Sequence, residues 1–422
     1  MPLKVLLALG RPLFPANTGG QIRSLNIFSR LAGRMEIHCL SLAQRHRDAE
    51  HVAQMAGLFA SYTPVYWQET PKFSPRFYAE FLASRFGAMP YFLAKYCHPE
   101  LVQAARGLLA RLRADLLLCD FLHLAAALKD VRAPRRAVFQ HNVEYVIRKR
   151  HWEMETHPLK KWLLRAEWEK ARAVEAEICR TFDHVITVSE ADRQQIAREF
   201  SVTHVSDLPT GVDTEYFCPS GALQRPGNLV FVGSMDWHPN EDGMAWFLSQ
   251  VYPLIRRHSP QASLTIVGRS PSQRLRALAA ADATVEIAGT VDDVRPYLAR
   301  AETVIVPLRI GGGTRIKIYE AMAMDRPVVS TTLGAEGLPL DAGREIALAD
   351  SAQDFAGSVS ALLADPARRS ALARAGFDRV TRDFNWDRVA SRMEEILRST
   401  GVAASAATAA QALDAQAAQV VK

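Results

Sequence analysis

The chain has 422 residues, 48% of them hydrophobic and 23% charged, with a formal net charge of +6. That length exceeds one ordinary core and implies two or three domains, while the composition excludes both a disordered chain and a membrane-spanning one. The mild positive charge suits an anionic ligand or an anionic lipid surface and does not by itself argue for nucleic acid.

Five cysteines, Cys39, Cys97, Cys119, Cys179 and Cys218, are scattered without C-x-x-C spacing. They read as reduced, small apolar residues of a cytosolic protein rather than a disulfide frame or a zinc site. The apolar start is short and runs into Arg11-Pro12 instead of a small-residue cleavage site. It therefore reads as a buried strand over 3–9, not a signal peptide. No apolar run reaches the roughly 18 residues of a membrane span, so any membrane association has to be peripheral.

The loop 11–20 ends in Gly19-Gly20 and leads to a helix over 21–32 carrying Arg23, then a strand over 36–42. A glycine pair between a strand and a helix puts backbone N–H groups at the carboxyl end of a parallel sheet, where such folds bind ligands. An ordinary turn is the competing reading. Residues 72–112 read as helical and rich in aromatics, with Phe73, Phe77, Tyr78, Phe81, Phe86, Tyr91 and Phe92 among Arg76, Arg85 and Lys95. The plain reading is an aromatic core helix pair; the sharper one is a surface that touches a lipid monolayer. Strands over 115–119 and 137–140 follow, the second ending in the polar His141-Asn142-Val143-Glu144. A charged helical stretch from Arg148 to Glu177 with Trp152, Trp162 and Trp168 is either a solvated helix or a basic aromatic face toward anionic lipid. A strand at 184–190 meets a capped helix, and a proline- and glycine-rich linker within 206–227 marks a domain boundary.

The second half restarts the pattern. Strands over 229–232, 264–267, 285–287, 302–306, 327–330 and 345–348 alternate with helices over 241–257, 352–364, 366–382 and 386–398. Such alternation means parallel doubly wound sheets, here two in tandem. The run Val306 to Glu320 stands out: a buried strand, the turn Gly311-Gly312-Gly313, and a helix opening at Thr314 with Arg315, Lys317 and Glu320. Free helix-end N–H groups, bare glycines and two cations suit a diphosphate. The Gly-Lys-Ser/Thr ending of a Walker loop is absent. A loop with Lys317 and Glu320 as an exposed i,i+3 pair is the ordinary alternative. From Gly401 the composition collapses to alanine, as in a disordered or marginally helical tail.

Several motifs then combine: Pro15 to Gly20 with Arg23, Gln140 to Glu144, Thr187 to Glu190, Pro209 to Asp213, Phe231 to Met235, Ile266 to Gly268, and Pro307 to Gly337. In this order they resemble the GT-B glycosyltransferases called group 1 or family 4, and most nearly the bacterial sugar transferases associated with exopolysaccharide systems. The resemblance covers nearly all of 1–398. It implies an α/β fold of two Rossmann-like doubly wound parallel-sheet domains facing a cleft. An acceptor-side domain would span 1–207 and a nucleotide-sugar domain 208–385. A crossover helix over 386–400 would return to the first domain, ahead of the tail 401–422.

By the same resemblance, Glu320 accepts hydrogen bonds from ribose, and Arg315 and Lys317 hold the diphosphate with the amides of Gly313 and Thr314. Gly289 and Asp292 lie by the base, and Gly233 and Ser234 join the donor-binding set with Gly312. Gly19 and Gly20 face the phosphates, and His141 contacts the reacting sugar or acceptor. Two departures are visible. Gly312 stands where the family often has a second glutamate, and Ser234 with Trp237-His238-Pro239-Asn240 replaces a usual arginine and lysine. Asp325 also occupies the place of a helix-ending glycine.

The expected activity is retaining transfer of a sugar from a UDP- or GDP-sugar to a saccharide or lipid-linked saccharide, in exopolysaccharide or cell-surface glycan synthesis. No metal and no cofactor beyond the donor is expected, because cations on the leaving diphosphate take the metal's task. The chain is expected in the cytoplasm, with peripheral contact to an anionic membrane and no nucleic-acid partner. The rival readings are a nucleotide-sugar epimerase on the same fold and a non-catalytic nucleotide-sugar-binding protein.

Overall fold

A computed structural model describes residues 2–45, 48–71, 73–310 and 316–400. Gly312, Gly313, Thr314 and Arg315 lie outside the described residues, as does the alanine-rich tail 401–422. The chain forms two compact units: one runs to Pro209 and resumes at Ala390, the other is Thr210–Val389. The helix Trp386–Ser399 therefore starts in the second unit and ends in the first.

The first unit holds seven parallel strands, β1 (Lys4–Leu9), β2 (Glu36–Ala43), β3 (Ser61–Tyr66), β4 (Leu116–Asp120), β5 (Arg136–Phe139), β6 (His184–Thr187) and β7 (Val205–Asp207). Their order is β3-β2-β1-β4-β5-β6-β7. Sequence direction reverses between β1 and β4, which open a crevice at their carboxyl ends. The apolar runs are continuous because helices cover both faces: Leu6, Leu7, Leu117, Val138 and Val185 are fully buried. The strand β3 and the helix Ala49–Ala56 escape the sequence reading. Pro64 inside β3 argues against a strand, yet β3 is an edge strand, where proline is tolerated.

The second unit repeats the plan with six parallel strands: β8 (Asn228–Val232), β9 (Ser263–Val267), β10 (Val285–Gly289), β11 (Thr303–Val306), β12 (Val328–Ser330) and β13 (Ala347–Leu348). Their order, β10-β9-β8-β11-β12-β13, puts the reversal between β8 and β11. The expected helix over 241–257 is a succession of His238–Trp246, a π-helical turn Phe247–Val251, and Tyr252–His258. Pro253 supplies the cause, since its ring lacks an N–H and crowds the carbonyl one turn back, and a wider turn absorbs both.

Two further local readings are revised. The helix after β1 starts at Gly19, capped by Thr18, whose hydroxyl accepts from the Gln21 amide at 3.4 Å. Gly19 and Gly20 thus form its first turn rather than a loop before it. The aromatic helix is not core: Pro75–Phe86 buries none of its residues, and Phe86 is 95% exposed. Two of the cysteines, Cys97 and Cys218, are likewise exposed, while Cys39, Cys119 and Cys179 are buried and all five are free.

Candidate active site

In the first unit, residues from three consecutive structural places meet at the β1/β4 crevice. Asp120 ends β4, His141 follows β5 by two residues, and Arg23 and Ser24 come from the helix Gly19–Leu31. All four are buried. His141 Nε2 lies 2.7 Å from Asp120 Oδ1, and Arg23 NH1 lies 3.2 Å from His141 Nδ1. Ser24 Oγ donates to the other carboxylate oxygen of Asp120 at 2.8 Å.

A guanidinium only donates and a carboxylate only accepts, so Nδ1 accepts and Nε2 carries the proton. His141 is thereby fixed as one neutral tautomer. Burial pushes its pKa down, and Asp120 opposes that shift. With both ring nitrogens engaged, His141 presents a ring edge and a fixed dipole, not a free base. Burial also lowers Arg23 to about 10, against the pull of Asp120, so it stays charged at neutral pH.

The His141 ring stacks on Phe121 at 3.8 Å between centroids and 8° between planes. Phe121 holds φ +72°, a left-handed value unusual for a non-glycine residue. Gly20 makes the stack sterically allowed, because a Cβ there would stand 2.6 Å from Phe121 Cζ. The expected partners Gly20, Arg23 and His141 are therefore brought together, with Gly19 exposed on the first turn beside them. Asp120, Phe121 and Ser24 were missed by the sequence reading. Asp120 ends an apolar run as His141 does, and that was the available signal.

In the second unit the β8/β11 crevice gathers Gly233, Ser234, Asn240, Lys317 and the start of the helix Ile316–Ala323. Lys317 Nζ donates to Asn240 Oδ1 at 3.0 Å and lies 4.5 Å above the Phe231 ring. Asn240 in turn donates to the Ser234 carbonyl at 2.7 Å. A Cβ on Gly233 would meet Lys317 Nζ at 2.5 Å, so a bare backbone is required for the ammonium to lie there. Lys317 thus delivers its charge to the loop after β8, where the usual cations of the resembled family are missing. The Ser234 hydroxyl is committed to Asp236 at 2.6 Å, which leaves its backbone as its offering to a ligand.

The carboxyl of Glu320, half-buried one turn along, makes no hydrogen bond or ion pair among the described residues. Burial raises its carboxyl to about 7, with Lys317 opposing the rise. A half-buried acceptor without a donor among the described residues is a place for a ligand's hydroxyls. The exposed i,i+3 ion pair is not what forms; Lys317 turns to Asn240 instead. Gly289 ends the edge strand β10 at φ +72°, which favours glycine. Asp292 is exposed and makes no such contact among the described residues, while its neighbour Asp293 bonds Arg295 at 3.0 Å and the Arg295 amide at 2.9 Å. Upstream of the glycine turn, Arg309 forks onto Asp242 at 2.8 and 3.1 Å and is spoken for.

Asp325 has φ +56°, the left-handed helix end that its place in the sequence implies. The Asp325 amide donates to the Met322 carbonyl at 2.9 Å and the Arg326 amide to Ala321 at 3.0 Å, closing the helix.

Residues 25–216 match the family model described as Glycosyltransferase Family 4, and residues 226–365 match that of Glycosyl transferases group 1. Glycogen synthase of Mycobacterium tuberculosis is 26% identical over 253 residues, 56% of this chain and 58% of that protein. A GDP-mannose-dependent alpha-(1-6)-phosphatidylinositol monomannoside mannosyltransferase of the same organism is 29% identical over 259 residues, 55% and 66% of the two chains. The matched part is thus under two thirds of either relative's length. Among solved structures, HepE of Anabaena in complex with UDP-glucose superposes with a TM-score of 0.63 at 14% identity, covering 94% of this chain and 100% of the other. That likeness concerns the fold, the two Rossmann-like sheets of the GT-B class.

Proposed function

We propose that this chain, which belongs to the group 1 (family 4) glycosyltransferases, moves a sugar from a UDP- or GDP-sugar to a saccharide or lipid-linked saccharide acceptor. The observation that carries the reading is Glu320, a carboxyl without a partner among the described residues, beside a lysine at the carboxyl end of β11. Ribose hydroxyls would satisfy it, and the diphosphate would lie against Lys317, Gly233 and the amides after β8. The relatives' names support a nucleotide-sugar donor, since one depends on GDP-mannose and HepE is held with UDP-glucose.

Departure of the diphosphate develops negative charge, and Lys317 with Arg315 would neutralise it without a metal. Gly312, Gly313 and Thr314 would add backbone N–H groups from the turn. Gly289 and Asp292 would flank the base. His141, neutral and immobilised, would orient the sugar or acceptor through its ring edge, with Gly19 and Gly20 offering amides to phosphate. Retention of configuration and a place in exopolysaccharide or surface-glycan synthesis at the inner membrane face complete the reading.

The test pairs binding with turnover. A thermal-shift panel of UDP, GDP and their sugars should single out one base, at about 2.7 kcal/mol of stabilisation for a ligand at one hundred times its Kd. Arg315→Ala should lower transfer by orders of magnitude at unchanged melting temperature. Near-normal transfer by Arg315→Ala, or donor binding with neither hydrolysis nor transfer across an acceptor panel, would overturn the catalytic reading.

A further inference from the structure

The first unit contains a cavity of about 640 Å³ that the donor chemistry does not use. The segment after β3, the helix Pro75–Phe86 and the short helix Tyr91–Ala94 enclose it, and Trp67, Phe77, Met89, Tyr91 and Phe92 give it an apolar lining. Its charged side chains are already paired: Lys95 with Glu69 at 2.9 Å and Arg76 with Glu80 at 2.8 Å. Paired charges around apolar walls suit a hydrocarbon, with Gln68, Thr70, Ser84 and His98 as the uncharged polar part of the lining.

At the mouth, Phe77 packs on Phe73 at 6.1 Å, and Phe73 is 76% exposed. The same helix exposes Tyr78, Leu82 and Phe86, and its Arg85 lies over the exposed Trp162 at 5.1 Å. Lys149, Arg150, Lys160 and Arg165 are exposed on the neighbouring helices Glu144–Met154 and Pro158–Thr181, Lys149 lying 3.7 Å from Glu153 and Arg165 2.9 Å from Glu169. An apolar strip with basic residues beside it matches the surface of an anionic leaflet. From the cavity wall, rings also lead inward: Trp67 to Tyr96 at 6.0 Å, Tyr96 to His123 at 4.1 Å, His123 to Phe121 at 5.3 Å, and Phe121 to His141.

We propose that this cavity holds the hydrocarbon chain of an anionic, lipid-linked acceptor, with the exposed aromatic strip seated on the leaflet that supplies it and the ring ladder leading its head group toward His141. The inference rests on the lipid-linked acceptor of the proposed reaction. Calorimetry of the full chain with hexyl and decyl phosphate, both below their micellar concentrations, tests it. Decyl phosphate should bind at least tenfold more tightly than hexyl phosphate, since each buried CH2 contributes on the order of 0.8 kcal/mol.

Ala83→Trp, which fills the cavity, and Phe77→Ser, which opens its wall, should each weaken decyl phosphate tenfold and leave the thermal shift by UDP or GDP unchanged. Leu82→Ser with Phe86→Ser should reduce sedimentation with phosphatidylglycerol vesicles while keeping decyl phosphate affinity. Equal binding of the two phosphates, insensitivity to Ala83→Trp, or displacement of decyl phosphate by a maltooligosaccharide would overturn the proposal. Decyl phosphate binding without any nucleotide response would instead keep the cavity assignment and remove the transferase reading.

Discussion

His141 keeps its place through both ring nitrogens, so the cost of losing a partner can be estimated. Asp120→Ala deletes the acceptor of the His141 Nε2–H and of the Ser24 hydroxyl, together with the carboxylate facing buried Arg23. Two buried donors left unmatched, with Arg23 deprived of the stronger of its two carboxylate attractions, should destabilise the first unit by about 3–5 kcal/mol, measured by urea unfolding. Asp120→Asn keeps the shape and one acceptor and should lose less. At Glu320 the expectation concerns binding. Its carboxyl titrates near 7, and only the ionised form accepts fully from ribose hydroxyls. Nucleotide affinity should therefore rise between pH 6 and 8 in the native chain and stay flat in Glu320→Gln. A parallel slope in both would remove Glu320 from the site.

Among elements, the helix Glu144–Met154 depends on a carboxyl from another helix. Glu175 accepts from the Glu144 and Tyr145 amides at 3.2 and 2.8 Å, filling the role of a missing N-cap side chain. Burial raises Glu175 to about 8, with Glu144 adding to the rise. A carboxyl raised from 4.5 binds its proton more tightly in the folded state, so stability falls as pH climbs from about 4.5 to 8. Glu320 contributes in the same sense up to about 7. His123, lowered to about 3, and His184, lowered to about 4, oppose this, since stability gained from a neutral buried histidine grows as pH approaches 6.5. Above that the carboxyls act without that opposition, and urea midpoints should decline from pH 6.5 to 8. Glu175→Gln should flatten the upper part of the decline.

Two glycines separate packing from ligand chemistry within the second sheet. A Cβ on Gly268 would lie 1.9 Å from the Gly233 carbonyl oxygen, a rigid backbone atom, so Gly268→Ala should destabilise by about 1–3 kcal/mol or more. A Cβ on Gly233 meets side chains only, the end of a flexible lysine at 2.5 Å, Asn240 Nδ2 at 2.8 Å and the Phe231 ring at 3.0 Å. Gly233→Ala should keep its melting temperature within about 2–4 °C, the shift expected of ~1 kcal/mol, while losing most of its nucleotide affinity.

At the scale of the whole molecule, each unit owns its core. Among the described residues one cluster of buried residues runs from Leu6 to Val205, and two others lie between Val212 and Phe384. A fragment of residues 210–389 should therefore unfold cooperatively on its own and retain the nucleotide-induced thermal shift of the full chain. A fragment without a cooperative transition by circular dichroism would show that the second core is not self-sufficient. Among the described residues no helix is long and apolar enough to cross a membrane, and Phe86, Leu82 and Trp162 are exposed.

Local chemistry made much of this legible. Largely apolar runs ending at a glycine announced β1, β8 and β9, and the run Val304-Ile305-Val306 ending at Pro307 announced β11, because a strand covered on both faces has no polar side to alternate with. The doubly wound class follows from that pattern, and the proline- and glycine-rich stretch within 206–227 marks a domain boundary by composition. Side-chain direction follows from neither. Whether Phe86 is core or surface, whether Lys317 pairs with Glu320 or with Asn240, and that Asp120 fixes the tautomer of His141 depend on residues 21 to 77 positions apart in the chain. Sequence alone set which elements form, since their periodicity is local. Only the folding of distant elements against one another decided which polar groups were left in want of a partner, and those are the groups to which a ligand can bind.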